Sequence, residues 1–418
     1  MGGSNAESWS FTARFIFPVD SPPLENGIMA IQGDRIKAIH PAGARTADFN
    51  LGNHAIIPGL VNAHTHLDLS GLRGKIPPTT RFTDWLRAVI HHRRNLSPTE
   101  VQEAVQAGLK ASLSLGTTLL GDIASLGLSW DALSNGNLRA TVFYELLGLP
   151  GPRAEQAWIG ARTWLASRPA TSKCLPGLSP HASYSVRASL FELAAHSHVP
   201  VSIHLAETLQ EIDLLERHAG EFREFLQELD VWDPNGLVPS ISEILEINKA
   251  TANLILIHGN YLDPNFDLPG GATVVFCPRT HAYFGHPPHP FRELLRRGVR
   301  VALGTDSLAS NPDLDVLAEL RFLGNQFVDV PGSTLLRMAT LSGAEALGWQ
   351  EETGSLTSGK SADLAVVPLP NQERPDPYRL LIEGSAPVQA VLLQGRWVYD
   401  RNEAFAAGKN SSGMPFTP

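Results

Sequence analysis

Eight segments of strand character, separated by helical patterns along the middle of the chain, constrain the fold more than any other feature of the sequence. The first is the apolar run Ala55, Ile56, Ile57, Leu60 and Val61, interrupted by the step Pro58-Gly59. The others are Thr117 to Asp122, Arg139 to Leu147, Lys173 to His181, Val199 to Glu207, Leu254 to His258, Ala272 to Pro278 and Val299 to Asp306. Ser97 to Leu115 and Ala154 to Ala166 are examples of the helical spacing between them. Strands alternating with helices predict an α/β fold, a (β/α)8 TIM-like barrel, with its chemistry on the loops at the C-terminal strand ends. The link between the sixth and seventh strands, YLDPNFDLPGG, is too rich in Pro and Gly for a full helix, so one connection is expected to be irregular.

The two ends of the chain have a different texture. Phe11 to Val19 is apolar and aromatic, and Gly27 to His40 alternates around Gly33-Asp34, a hairpin signal. Ala362 to Pro368 and Val388 to Tyr399, the latter broken by Gly395, repeat that texture near the other end. The expectation is a small β-sandwich-like domain formed from both chain termini, residues 1–56 and 351–418, around a barrel of residues 57–350. A chain of 418 residues is long enough for both. The tail GKNSSGMPFTP reads as mobile.

Composition narrows the function. With 33 basic and 42 acidic residues the net charge is -9, which offers no basic footprint for nucleic acid. No apolar run approaches the length of a bilayer span, and the start MGGSNAESWS lacks the basic patch and apolar stretch of a secretory signal. Cys174 and Cys277 are too few and too far apart for a disulfide framework, so both are expected as buried thiols in a reducing cytoplasm. A small molecule is the expected partner; whether copies of the chain assemble is not legible.

Six of the 15 histidines fall at or just past expected strand ends: His64, His66, His181, His204, His258 and His281. Residues two apart on an extended chain point to the same side, so His64 and His66 face one spot. With His204 and Asp306, the latter at the end of the eighth strand, they supply three nitrogens and one oxygen to a divalent cation, with room left for a water. Such a cation lowers the pKa of water from about 15.7 toward roughly 7. Glu207 stands three residues after His204, so it reaches the same pocket only if the chain turns there; it then suits general acid/base work. His258 is placed to hold or polarise the nucleophile. The long connections after His66 and Glu207 leave C-terminal strand ends and are expected to wall the site. Trp232, on the second, either caps a ligand or packs.

PGLVNAHTHLD, SPHASYSV, HLAET, HGN, GTDS, ATLSGAEALG and TGSLTSGKSADLAVV occur in this order over nearly the whole chain. Together they resemble the amidohydrolase superfamily, in particular its cytosine, adenosylhomocysteine/methylthioadenosine and aminodeoxyfutalosine deaminases and their triazine chlorohydrolase relatives. The resemblance implies that His64, His66, His204 and Asp306 are metal ligands, Glu207 the proton shuttle and His258 the residue orienting the nucleophile. No lysine ends the fourth strand, where two-metal members carry a bridging one, so a single ion is implied, zinc first, with iron or manganese compatible with the same ligands. SPHASYSV is similar to a stretch that lines the substrate pocket of adenine-specific deaminases, which makes His181 a binding residue. CPRTHAYFGH departs from the family pattern by placing His281 where an asparagine is usual, with His286 and His289 nearby; His281 is carried as a binding residue. Arg73 and Trp85, on the loop after the first strand, are expected to contact a ribose or tail.

The implied activity is hydrolytic deamination of an amino-substituted heteroaromatic ring, with an adenine nucleoside derivative of the aminodeoxyfutalosine or adenosylhomocysteine/methylthioadenosine type as first choice. A chlorohydrolase or cyclic amide hydrolase uses the same site. A non-catalytic interaction protein on this fold is the remaining alternative, and the complete ligand set argues against it.

Overall fold

The structure, a computed structural model, describes residues 8–373, 376–401 and 405, so the closing GKNSSGMPFTP lies outside the described residues. Eight parallel strands form the central sheet, numbered here β1 (Leu60–Thr65), β2 (Thr117–Ala124), β3 (Arg139–Leu146), β4 (Cys174–Pro180), β5 (Val201–Leu205), β6 (Leu254–His258), β7 (Thr273–Phe276) and β8 (Arg300–Leu303). Each strand pairs with the next in sequence. Past the end of β8 the sheet returns to β1, where the N–H groups of Thr305 and Asp306 both donate to the His64 carbonyl at 3.1 Å. This contact brings Asp306 beside His64.

The opening apolar run is not one strand. His54–Pro58 pairs antiparallel with Leu364–Pro368 in a separate sheet, and only Leu60 onward belongs to the barrel. A proline cannot donate to a ladder, which favours a break there. Gly59 fits the crossing because a Cβ at this position would lie 2.0 Å from Thr118 Oγ1. Its N–H donates to Asp363, and that of Leu60 to Gly116 in the turn before β2, so the handover is complete within two residues.

Two further sheets are built from the termini. A four-stranded sheet contains the Ile28–Gln32 and Arg35–His40 hairpin, with Gly33 at φ 62° in its turn. A six-stranded sheet joins Leu24–Glu25, Phe15–Ile16 and His54–Pro58 to Leu364–Pro368, Ala390–Leu393 and Arg396–Asp400, the two halves meeting at the pair His54–Pro58 and Leu364–Pro368. Phe11, Met29, Ile56, Val366 and Trp397 share one apolar core between them. The side chains of Arg139 and Asp363, both buried, form an ion pair that ties the start of β3 to the chain entering this region.

Helices cover the outside of the barrel. Pro98–Ser114 starts at Ser97, whose hydroxyl accepts from Glu100 N–H while the Glu100 carboxylate accepts from Ser97 N–H. No helix spans the link from β6 to β7, as its Pro and Gly content predicts. Among the described residues no helix is long and apolar enough to cross a membrane.

Candidate metal and catalytic site

The C-terminal ends of β1, β5, β6 and β8 converge on one histidine cluster. Asn62 hydrogen-bonds Thr305 Oγ1 at 2.7 Å, and His64, two residues on, is fully buried on the same side of β1. His66 lies just past the strand with its ring edge-on to His64 at 4.9 Å between centroids, and His204 on β5 lies 4.9 Å from His64. Asp306 Oδ1 is 3.5 Å from His64 Nε2 and 3.7 Å from His66 Nε2, while its Oδ2 accepts from Ser310 Oγ at 2.8 Å. Ligand atoms of His64, His66 and Asp306 fall within 4.8 Å of one another, as do those of His64, His204 and His258.

The chemistry of this donor set fits a cation. His66 and His204 are held well below the ordinary histidine pKa, first by burial and then by neighbouring imidazoles, so their rings are neutral and keep a lone pair. His204 Nδ1 donates to the His181 carbonyl at 2.8 Å, which leaves Nε2 as its free nitrogen. Both ring nitrogens of His64, and Nδ1 of His66, are buried without a hydrogen-bond partner among the described residues. Buried orphaned nitrogens aimed at a carboxylate are what a ligand sphere leaves when read from protein atoms alone.

Glu207 reaches the cluster because the chain does turn. Ala206 has φ 51°, so the strand geometry ends abruptly and the next side chain swings into the pocket. The kink is braced from below by Glu211, whose buried carboxylate accepts from the N–H of Ala206 (3.2 Å) and Glu207 (2.8 Å) and from Ser183 Oγ (2.6 Å). Asn260 Nδ2 donates to the Glu207 carbonyl at 3.0 Å. Glu207 Oε1 lies 3.3 Å from His258 Nε2. Burial, reinforced by Asp306 and Glu211, holds the Glu207 carboxyl well above the usual carboxylate range. His258 is pushed down to about 3, chiefly by burial. Burial thus disfavours a charge on the carboxyl and on the ring alike.

A cavity of about 370 Å³ opens from this cluster. His66, His204, Glu207, His258 and Asp306 line its inner end. Its outer wall is apolar, supplied by the two long connections: Trp85, Leu86 and Val89 come from the helix Phe82–Asn95, and Phe225 and Leu226 from the helix Glu221–Glu228. His181 also lines it, as sequence reasoning expects, and Trp85 does so with its indole N–H donating to Ala309 at 3.3 Å. Arg73 and His281 are not among the lining residues. Arg73 is exposed just past the short turn Leu67–Leu72. His281 sits on the helix Pro278–Phe284, separated from the end of β7 by Cys277 alone, and its Nε2 is engaged with the Pro287 carbonyl at 2.8 Å. Strand parity therefore does not carry to it. Trp232 packs on His218 and Arg223 and lies outside the wall.

Sequence reasoning overlooks several charged residues here. Arg93 bridges Asp68 (2.9 Å) and Glu145 (3.1 Å), and Arg93 and Glu145 line the cavity. Asp122 accepts from Leu67 N–H at 2.9 Å, fixing the turn after His66; burial pushes its carboxyl up to about 7. The available signals were slight: a lone Glu145 in the apolar TVFYELL, Asp122 closing the second strand, and the capping pattern T-x-x-E at Thr208 to Glu211.

Fold and site together define a class: a (β/α)8 barrel with a histidine and carboxylate cluster at its C-terminal strand ends, a donor set that fits a divalent metal. Residues 55–398 match the amidohydrolase family, and the chain belongs to it. It is 28% identical to a 5-methylthioadenosine/S-adenosylhomocysteine deaminase of Moorella thermoacetica, with 93% of each chain aligned. Among solved structures it is similar to an adenosine deaminase of Xanthomonas campestris with bound zinc (25% identity, TM-score 0.78, 95% of each chain). It also shares its fold with the aminofutalosine deaminase of Helicobacter pylori (22% identity, TM-score 0.79, 94% of this chain and 100% of the other). The chain is accordingly a hydrolase acting on carbon–nitrogen bonds other than peptide bonds.

Proposed function

We propose that this protein is a mononuclear zinc-dependent aminohydrolase that removes ammonia from an adenine nucleoside derivative. The observation that carries the reading is the Glu207 carboxyl, biased toward its protonated form by burial and set 3.3 Å from His258 beside the histidine and Asp306 cluster. His64, His66, His204 and Asp306 are the residues that would hold the ion; β4, CLPGLSP, offers no lysine for a second. When bound, the ion supplies Lewis acidity that makes water a competent nucleophile near neutral pH. The cation's charge favours ionised Glu207 and burial favours the protonated form, so the carboxyl is suited to both halves of a proton cycle.

Glu207 takes a proton from the attacking water as oxygen bonds to the amine-bearing ring carbon, and delivers it to the adjacent ring nitrogen. The remaining proton of that water, on the newly bound hydroxyl, passes to the exocyclic amine, the carbon–nitrogen bond breaks as the carbonyl forms, and ammonia leaves with the ring in its keto form. Neutral His258 orients the nucleophile, and His181 contacts the ring or its sugar. The substrate class is supported by the names of the Moorella thermoacetica and Xanthomonas campestris relatives and by a cavity large enough for a nucleoside. The reading expects a reducing cytoplasm, in keeping with Cys174 and Cys277, both buried and unpaired.

The test is ammonia release from aminodeoxyfutalosine, adenosylhomocysteine, methylthioadenosine, cytosine, guanine and aminotriazines by the metal-loaded protein, with Glu207→Gln as control. Turnover of a purine nucleoside that falls by at least about 100-fold in the control is the expected result. Silence across the panel at full metal occupancy sinks the reading.

A further inference from the structure

Outside the ligand cluster, one buried carboxylate is left with half its bonding capacity open toward the cavity. Glu145 is the penultimate residue of β3, and its side chain is only 2% exposed. Oε2 accepts from Arg93 Nη1 at 3.1 Å, and Oε1 accepts no hydrogen bond among the described residues. Across the gap His181 Nε2 lies 4.0 Å from Oε1. That nitrogen is an acceptor as well. Ser185 Oγ lies 2.8 Å from His181 Nδ1 and 3.2 Å from the Ala182 carbonyl; with its proton directed to that carbonyl it accepts from Nδ1, the tautomer that leaves Nε2 as an acceptor.

Two acceptors therefore face each other across the cavity wall with no protein donor between them. Buried acceptors are ordinarily satisfied, and here the missing donors have to come with the ligand. A donor pair of matching spacing is a vicinal diol, one hydroxyl for each acceptor, or an ammonium group. Arg93 decides between them: its guanidinium already sits on the same carboxylate and is fixed from its other side by Asp68 at 2.9 Å, so a second cation would be repelled while neutral hydroxyls would not.

We infer that Glu145, paired with His181, is the specificity-determining residue for the vicinal hydroxyls of the substrate's sugar, with Arg93 and Asp68 as positioning residues that hold its carboxylate. The inference rests on the nucleoside reading above and assigns the recognition of the sugar to the end of β3. It also gives His181 a defined role, that of an acceptor locked in one tautomer by Ser185.

The experiment separates binding from turnover. The metal-loaded protein carrying Glu207→Gln is titrated calorimetrically with 5′-methylthioadenosine and with its 2′-deoxy and 3′-deoxy analogues, then again with Glu145→Gln added. Removing a hydroxyl from the ligand is expected to weaken binding about 10- to 100-fold in the first protein, and by less than about threefold in the second. Glu145→Gln keeps an oxygen for Arg93 but turns a donor toward the sugar; Glu145→Asp, which keeps the charge, is the companion variant should the first unfold, and is expected to retain part of the discrimination. The comparison of analogues needs no Glu145 variant at all, so equal binding of all three by the first protein overturns the inference. So does discrimination that survives in Glu145→Gln. Diol-dependent binding without ammonia release would uphold this inference and defeat the deaminase reading. Ammonia release from a purine nucleoside whose binding is indifferent to its hydroxyls would do the reverse.

Discussion

The inner and outer halves of the cavity are built on different principles. At the inner end several side chains are fixed by a hydrogen bond on one atom, while the nitrogens of His64 are left without a partner among the described residues. His204 Nδ1 is committed to the His181 carbonyl, and Asp306 Oδ2 accepts from Ser310. His289 accepts the Phe291 N–H at Nδ1, which leaves Nε2 protonated to hold the His258 carbonyl at 2.7 Å. Backbone strain gathers in the same place, with positive φ at Ala206 (51°), His258 (66°) and Asp306 (58°). The outer wall consists of apolar side chains on two helices, joined at the surface by ion pairs such as Arg87 to Glu228. Strained, braced geometry at one end and adaptable packing at the other divide the labour between chemistry and selectivity. If so, changes at the inner end act on turnover, and changes at the outer wall act on binding.

The sharpest test of the proposed metal site is treatment with a chelator. Stripping with a chelator is expected to lower ammonia release by at least about 1,000-fold, because several kcal/mol of charge stabilisation go with the ion. Restoring zinc should restore the rate. A chelated protein that keeps a tenth of its activity would break the contrast at its root, since an inner end built around neutral imidazoles has little purpose without a cation.

Next in size is Glu211, which touches no substrate-facing atom yet holds two N–H groups of the kink. Glu211→Ala leaves both donors buried without an acceptor, each at a penalty of about 1–3 kcal/mol, and frees Glu207 to leave its place. The expected outcome is a kcat about 100-fold lower with KM changed by less than about threefold, measured on protein whose melting confirms that it is folded. Glu211→Gln, which retains one acceptor, should fall in between. A change confined to KM would show that the kink is held by the barrel without this carboxylate.

These inner residues are also where the sequence was most readable. His64 and His66 could be paired from the two-residue period of a strand, and the other cluster residues from their positions at strand ends, because a parallel barrel delivers all its C-terminal ends to one mouth. What failed to read depends on backbone events that periodicity does not encode. The break at Pro58-Gly59 divides one apolar run between two sheets, and the decisive fact is the proximity of Thr118, far away in sequence. His281 was projected from a strand end, but a helix starts at Pro278 and turns it toward Pro287. Glu145 passed as one charged residue in a core strand; its partner Arg93 lies 52 residues earlier, on a helix whose crossing over the barrel mouth cannot be inferred from local pattern. A turn after His204 stood as the condition for Glu207 to reach the pocket, and the structure has it at Ala206; its brace, Glu211, carries no sequence signal beyond the capping pattern with Thr208.

A subtler test concerns how dry the inner end is. His289 is buried beneath His258 and stacked on Phe276 at 3.9 Å, and its pKa is pushed down to about 3, chiefly by burial. The unfolded chain titrates this group near 6.5. Above that pH neither state holds the proton and the residue has no linkage to stability. As pH falls below it, the unfolded state takes up a proton that the native state refuses until about pH 3, so stability declines through that window. For His289 alone the loss between about pH 7 and about pH 5 comes to about 2 kcal/mol. Urea midpoints of the metal-free protein at those two values should therefore fall less for His289→Phe than for the native chain. Equal declines would mean that water already reaches this ring, and the contrast between a dry inner end and a yielding outer wall would weaken.

The smallest effect is expected where the outer wall is tied together. Arg87 donates to Glu228 at 2.7 Å and also to Asp84 at 2.8 Å, bridging the helices Phe82–Asn95 and Glu221–Glu228 at the rim. Its side chain is 32% exposed and that of Glu228 57%, so water and salt screen the pair. Apolar contacts beneath it, including Phe82 against Phe222 with ring centroids 6.1 Å apart, hold the helices together without it. Arg87→Ala should accordingly change KM by no more than about threefold, leave kcat unaltered, and lose even that difference at high ionic strength. The informative outcome is the opposite one. A fall in kcat would mean that the two helices are held in one geometry that the chemistry requires, which would extend the rigid construction of the inner end to the rim and leave no yielding half for the substrate to enter through.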